Sequence, residues 1–263
     1  MKVEADIISV SYGAKQALGQ MQFDAQAGKM TIIIGPNGSG KTTLLRTLSG
    51  DLPYRGTITV NGSNIAKTKP AQMAMQRAIL AQETLLSFPF TVAEIVRLGM
   101  SVSKEGLFAK SETKNRIEAA LEKVDLRGFS GRFYQELSGG ERQRVQLARV
   151  LCQIWEPVSE GTPRWLFLDE PVSSLDIKHQ LLIMNIGADY AKRGGGVIAI
   201  MHDLNLTSMF ADKIYAIHEG QIFASGAPSD VLNDRMLSQV YDCPLRFGFA
   251  PKSTLFVLPQ SAG

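Results

Sequence analysis

Short apolar runs separated by glycine-bearing turns dominate the first sixty residues. Ile7-Ile8-Ser9-Val10, Met30 to Ile34 and Gly56 to Val60 are rich in β-branched residues, and Asn61-Gly62 follows the last as a turn signal. These segments predict strands. From Ala93 to Val124 the period changes. Ile95 and Leu98, then Ile117, Ala120, Leu121 and Val124, recur at helical spacing among Lys and Glu, which predicts a mostly helical insert. It continues into a helix from Glu141 through Ala148 and Leu151. Trp165-Leu166-Phe167-Leu168 restores a continuously apolar strand, and Val197 to Met201 repeats it. Ile177 to Lys192 between them reads as a crossover helix stopped at Gly194-Gly195-Gly196, completing one βαβ unit. Ile214 to Ile217 and Gln221 to Ala224 flank His218-Glu219-Gly220 as an antiparallel hairpin. Beyond Asp230 the pattern gives one short helix and irregular chain.

This order predicts an α/β protein with a mainly parallel sheet, an N-terminal antiparallel β region and a helical subdomain inserted over about residues 86–150. No repeat, low-complexity tract or linker divides residues 1–263, so they are expected to form a single domain. At 263 residues and 44% apolar composition the chain buries about three-quarters of its unfolded surface, which excludes a disordered protein. With 28 Lys and Arg against 25 Asp and Glu, the net charge of +3 is too small to argue for a surface that coats nucleic acid. Cys152 and Cys243 fit a reducing compartment, and no metal-ligand spacing is present. No aliphatic run approaches the roughly 20 residues needed to cross a bilayer. Acids at Glu4 and Asp6 stand where a secretory signal has its apolar stretch, so the cytosol is the expected location.

The chemistry begins at Gly35-Pro36-Asn37-Gly38-Ser39-Gly40-Lys41-Thr42, which fits G-x-x-x-x-G-K-[ST] between a predicted strand and the helix-like Thr43 to Leu48. Glycines let backbone N–H groups converge on phosphate oxygens, and the helix that follows points its positive end at the same anion. Lys41 adds a point charge, and the Thr42 hydroxyl is a hard ligand suited to Mg²⁺. This loop and its context predict a P-loop NTPase core. A second station, Trp165 to Pro171, is an apolar strand ending in two carboxylates. Acids at the C-terminal end of a strand face the ligand crevice of an α/β sheet. Successive strand residues point to opposite sides, so Asp169 and Glu170 are expected to divide the work, Asp169 holding metal and Glu170 activating water.

Leu137-Ser138-Gly139-Gly140-Glu141-Arg142-Gln143 stands ahead of an amphipathic helix. Ser138 and Glu141 form a capping box. The two glycines go beyond capping, since they expose N–H groups at a positive helix end and make a second anion site. With this segment the chain resembles the ATP-binding cassettes of ABC transporters, over nearly its whole length. The resemblance assigns Gly35 to Thr43 to the Walker A loop, Ser138, Gly139 and Gly140 to the signature, and Asp169 and Glu170 to Walker B. Glu141 replaces the commoner Gln, leaving open nucleotide contact or capping alone. Tyr12 resembles the aromatic that stacks on adenine, Gln82 the Q-loop residue that contacts Mg²⁺ and relays motion, Ser173 to Asp176 the D-loop, and His202 the switch histidine at the γ-phosphate.

The resemblance implies ATP and Mg²⁺ as cofactors and hydrolysis in a homodimer whose two cassettes clamp ATP head to tail. A single cassette without a fused membrane segment resembles bacterial importer subunits. It implies two separate permease subunits, a periplasmic solute-binding protein that acts through them, no nucleic acid, and a peripheral place on the cytoplasmic face of the inner membrane. Thr84 to Val92 resembles the iron-chelate and cobalamin group. The long connection Gln153 to Arg164 resembles haemin importers within it, with ferric siderophore or cobalamin importers as the alternative. Repair ATPases of this class carry long heptad-rich arms and ribosome-associated ones carry two cassettes, and this chain has neither. Phe88 and Phe90 suit either a permease contact or the subdomain's own core.

Overall fold

The computed structural model describes residues 1–82, 88–101, 110–250 and 255–261. Its elements are, in order, β1 (Lys2–Tyr12), β2 (Lys15–Leu18), β3 (Met21–Gln26), β4 (Met30–Ile34), α1 (Lys41–Leu48), β5 (Arg55–Val60), β6 (Ser63–Asn64), α2 (Pro70–Gln76) and β7 (Arg77–Leu80). The helical insert follows as α3 (Val92–Met100), α4 (Lys110–Lys123) and α5 (Gly139–Gln153). Then come β8 (Val158–Ser159), β9 (Thr162–Pro163), β10 (Trp165–Asp169), α6 (Ile177–Lys192), β11 (Gly196–Ile200) and α7 (Leu204–Phe210). The chain closes with β12 (Lys213–His218), β13 (Gln221–Gly226), α8 (Pro228–Val231) and α9 (Asp234–Tyr241).

Six strands form the core sheet in the order β13-β12-β4-β11-β10-β7, parallel except for β13, which returns antiparallel from β12. A second, antiparallel sheet runs β2-β1-β5-β6 with β3 also paired to β1. The pleat of β10 shows how the layers form. Trp165 and Phe167 join the apolar cluster shared with α1 and the antiparallel sheet, while Leu166 and Leu168 join the cluster shared with the helices on the other face. All four are at most 1% exposed, and each such side chain contributes about 1.5–3 kcal/mol on burial.

Helix boundaries follow from local chemistry. Asp176 caps α6 by accepting from the His179 N–H at 2.9 Å, Ile183, Met184, Gly187, Tyr190 and Ala191 form its buried face, and Gly194 at φ 93° lets the chain leave. Ser138 and Glu141 form the expected capping box on α5. The helical insert packs mainly through α3 against α5, and Ile95, Ile117, Ala120, Leu121 and Val124 are buried as their spacing predicts. Leu98 is not: it is 49% exposed and lines an apolar groove with Ala93, Met100 and Ile117. Phe88 is 69% exposed, whereas Phe90 packs on the core of the helical insert.

Three features depart from the sequence reading. The strand β7 is short and sits at the sheet edge beside β10. The connection Gln153 to Arg164 contains the small hairpin β8–β9. A further short helix, α8, ends at Val231 just ahead of α9, which is the one short helix expected beyond Asp230. Of the segment Thr84 to Val92, residues 84–87 lie outside the described residues. Both cysteines are free, and burial pushes the Cys152 thiol up to about 12. Among the described residues no helix is long and apolar enough to cross a membrane.

Candidate nucleotide site

Four of the core strands deliver site residues at their C-terminal ends, the edge at which open α/β sheets bind ligands. The loop Gly35 to Gly40 leaves β4, Asp169 ends β10, His202 lies two residues past β11, and Gln82 lies two residues past β7. Because β4 and β10 both flank β11, the phosphate loop and Asp169 are brought together across one intervening strand.

Close packing fixes the loop. Gly35 has φ 149°, and a Cβ there would lie 2.1 Å from the Ile217 carbonyl oxygen and 2.9 Å from Ser39 Oγ, so only glycine fits against β12. Lys41 is 5% exposed, and its Nζ donates to the carbonyls of Gly35 and Pro36, each at 2.9 Å. Burial lowers its pKa, opposed by the charges of Glu170 and Asp169. Ser39 Oγ is buried without a hydrogen-bond partner inside the same loop. Tyr12, Asn37, Gly38, Gly40, Lys41, Thr42, Thr43 and Glu170 line one cleft of about 490 Å³, together with Lys15 to Ala17, Glu219 and Gly220. Tyr12, half-exposed at the end of β1, presents its ring on the same cleft as the phosphate loop.

Asp169 continues the Trp165–Phe167 side of the pleat and therefore faces α1, where Thr42 Oγ1 donates to its Oδ1 at 3.4 Å. Burial and the neighbouring Glu170 raise its pKa to about 6, against the lowering influence of Thr42, Lys41 and Arg46. Glu170 is not the next residue of the strand, as the sequence pattern had it. The strand ends at Asp169, and Glu170 takes the left-handed conformation at φ 49°, which costs about 1–3 kcal/mol in a non-glycine residue. The turn, in place of pleat alternation, aims its carboxylate. Oε1 lies 2.6 Å from His202 Nε2 and Oε2 accepts from Gln82 Nε2 at 2.9 Å. Three residues far apart in sequence thus meet at one carboxylate.

The signature lies elsewhere. Ser138, Gly139 and Gly140 do not line the cleft, and Ser138 and Gly139 are exposed. Asp176 is also outside it, engaged as the cap of α6 and bonded to His179 Nδ1 at 2.8 Å. Glu141 is occupied in capping: its Oε2 accepts from the Ser138 N–H at 2.7 Å. The cleft residues Lys15 to Ala17, Glu219 and Gly220 carry no sequence signal for the site, and neither does Gln143, whose Nε2 donates to the Glu170 carbonyl at 3.1 Å.

A sequence model described as ABC transporter matches residues 18–173, more than half of the chain. The chain belongs to the ABC transporter family. Among its relatives, the hemin import ATP-binding protein HmuV of Mesorhizobium japonicum is 58% identical over 261 residues, 99% of each chain. The protein of the same name from Rhizobium meliloti is 56% identical over 263 residues, again 99% of each, and that of Bartonella henselae 49% over 99% of this chain and 98% of its own. Among solved structures, the ATP-binding subunit of an ABC transporter superposes with TM-score 0.76 at 25% identity, covering 91% of this chain and 95% of that one. The dimeric cassette MJ0796 gives TM-score 0.75 at 22% identity over 87% and 99%. The ABC cassette fold, with nucleotide as ligand, therefore accounts for the sheet order, the phosphate loop and the helical insert together.

Asp169 makes a checkable prediction. Its folded pKa lies above its unfolded value, so its contribution to stability is fully present below about pH 4 and is lost as pH rises through about 6. Without nucleotide or metal, Asp169→Asn is expected to stabilise the protein by about 2 kcal/mol at pH 7.5 and to flatten the stability profile between pH 4 and 7. Denaturant melts at several pH values measure this. A variant less stable than wild type at pH 7.5 would contradict it.

Proposed function

We propose that this chain is the ATP-hydrolysing subunit of an importer that takes up hemin, working as a head-to-tail homodimer beneath two permease subunits. The observation that carries the catalytic part is the Glu170 carboxylate, clasped by Gln82 and His202 at the mouth of the phosphate cleft. In phosphoryl transfer the protein mainly positions groups and offsets charge. Loop N–H groups and Lys41 bind the phosphates. Glu170 accepts the proton of the attacking water, and His202 moves from Glu170 to the γ-phosphate as ATP seats, so their 2.6 Å contact opens when the reaction is set up. Tyr12 supplies an exposed ring for adenine.

The residues present fit Mg²⁺. Thr42, Asp169 and Gln82 offer hard oxygens, Thr42 Oγ1 and Asp169 Oδ1 lie 3.4 Å apart beside the phosphate loop, and Mg²⁺ shared with phosphates needs only one or two protein ligands. Held by Thr42, Asp169 and Gln82, the ion would supply positive charge against that of the phosphates.

The dimer reading is supported by Gly139. Its φ is not in the left-handed region and a Cβ there would meet nothing within 4 Å, so neither strain nor packing within the chain demands glycine. A ligand approaching closely from outside would account for it, and exposed N–H groups at the start of α5 suit the γ-phosphate of ATP held by a second copy. The turn before Asp176 packs beside the start of α5, where a Cβ at Gly140 would lie 2.9 Å from Leu175 and 3.4 Å from the Ser174 carbonyl, which supports giving Asp176 a part in the shared site.

Hemin as cargo rests on the relatives named for hemin import, which match nearly end to end. No residue of this chain is expected to touch it, because cargo passes through the permease. That partner arrangement gives the chain a peripheral place on the cytoplasmic face of the inner membrane, with a periplasmic solute-binding protein acting through the permease. The test is ATPase activity of the cassette assembled with its permease in proteoliposomes. Hemin-loaded binding protein should stimulate turnover, and stimulation by a ferric siderophore or cobalamin instead would replace the cargo.

A further inference from the structure

The Glu170 carboxylate is held by its side chain from two directions, and its main chain is held from a third. Gln143, on the second turn of the signature helix α5, donates from Nε2 to the Glu170 carbonyl at 3.1 Å. The same carbonyl accepts from the Ser173 N–H at 3.4 Å and from Ser173 Oγ at 3.3 Å. Gln143 Oε1 is buried and has no partner among the described residues, where the amide's bond to Glu170 is the one that orients it. One turn earlier, a Cβ at Gly140 would lie 2.9 Å from Leu175 Cδ2 and 3.4 Å from the Ser174 carbonyl. The first two turns of α5 therefore rest directly on residues 170–175.

This geometry has a mechanical consequence. Glu170 sits in a left-handed conformation that its own chain does not favour, and its carbonyl is the point at which a neighbouring element holds it there. Any shift of α5 along its axis moves the Gln143 amide, and through the Glu170 peptide it turns the carboxylate. The N-terminal end of the same helix carries Ser138 and Gly139, both exposed, and in the dimer proposed above they would meet a phosphate of the partner's nucleotide.

We infer that Gln143 is a positioning residue that ties engagement of the signature end of α5 to the placement of the Glu170 carboxylate in the same copy. A cassette whose signature has closed on the partner's ATP thereby aims the general base at its own. The inference rests on the reading of Glu170 as the base that activates water.

The test is steady-state ATP hydrolysis by the full-length chain carrying Gln143→Met, which keeps the length of the side chain and removes the donor. Turnover is expected to fall roughly 10- to 100-fold, with KM for ATP changed less than about threefold, since misplacement of a catalytic group costs rate at preserved binding. Combined with Glu170→Gln, it should cost nothing beyond that substitution alone, because the group it positions is already disabled. Unchanged turnover in Gln143→Met, or a further tenfold loss in the double variant, would overturn the inference. So would a parallel loss of Tm and ATP affinity, the mark of a purely structural role. Full turnover in Glu170→Gln by itself would instead remove the base assignment, and this proposal with it.

Discussion

Glu170→Gln is expected to slow ATP turnover by about 10²- to 10⁴-fold, the usual worth of a positioned general base, while leaving ATP affinity within a few-fold of wild type. The substitution keeps the shape of the side chain and its contact with Gln82, but the amide cannot take a proton from water. It also removes a negative charge beside Asp169, where burial already disfavours the carboxylate form, so nucleotide phosphates are no worse received. Binding without hydrolysis should leave two copies held together around ATP. Size-exclusion chromatography with Mg²⁺ and ATP should therefore show a dimer for this variant and mainly monomer for wild type after turnover. A monomeric variant that still binds ATP would contradict the shared site, and a variant with wild-type turnover would contradict the role of Glu170.

Gly35→Ala should have the second large effect, on fold and binding together. The added methyl would sit 2.1 Å from the Ile217 carbonyl oxygen, which is sheet backbone and cannot rotate away, in a conformation at φ 149° that alanine resists. Either the phosphate loop or β12 must shift. The cost is about 3 kcal/mol, combining overpacking and backbone strain. For a chain of this size it corresponds to a fall in Tm of roughly 6–12 °C. ATP binding should be lost, because the loop N–H groups no longer converge. Gly28→Ala separates strain from packing: it has φ 81° with open space around its Cβ and lies in the turn between β3 and β4. That variant should lose only about 1 kcal/mol and bind ATP normally. Equal ATP binding by both variants, measured by calorimetry, would refute the packing argument for Gly35.

The parts of the fold legible in the sequence were those with long or redundant signals. Helix α6 runs from Ile177 to Lys192 as its spacing predicts, since a capping acid, a buried face and a glycine stop all agree. The strands β4 and β10 were legible because burial on both faces leaves their interiors apolar except for Thr31, a β-branched residue that suits a strand. The edge strand β7 was not. Arg77 to Leu80 is four residues long, with no turn signal between it and α2, and only the pairing with β10 makes it a strand. The hairpin β8–β9 was hidden for a similar reason, with two residues per strand and a proline in one of them.

The site divides in the same way. The phosphate loop, Asp169 and the capping box carry local patterns whose chemistry is set by neighbours in sequence. The aim of Glu170 is not local. Two adjacent acids after an apolar strand suggested opposite faces of a pleat, but the strand stops after the first and a left-handed turn orients the second. Its contacts with Gln82, His202 and Gln143 span residues 82 to 202 and exist only because β7, β10, β11 and α5 converge. Gln143 in particular reads as one more polar residue on an amphipathic helix until the packing shows what its amide touches.

The central claim, that ATP is sandwiched between the phosphate loop of one copy and the signature of another, is most directly tested by crosslinking between two single-cysteine chains. In a Glu170→Gln background with Cys152→Ala and Cys243→Ser, one chain carries Asn37→Cys and the other Ser138→Cys. Mixed with Mg²⁺ and ATP and exposed to a short bifunctional thiol reagent, the two chains should give a crosslinked dimer, with little without ATP and little from either chain by itself. Tight ATP binding in the mixture with no crosslink between positions 37 and 138 would show a nucleotide site complete within one copy and would contradict the account.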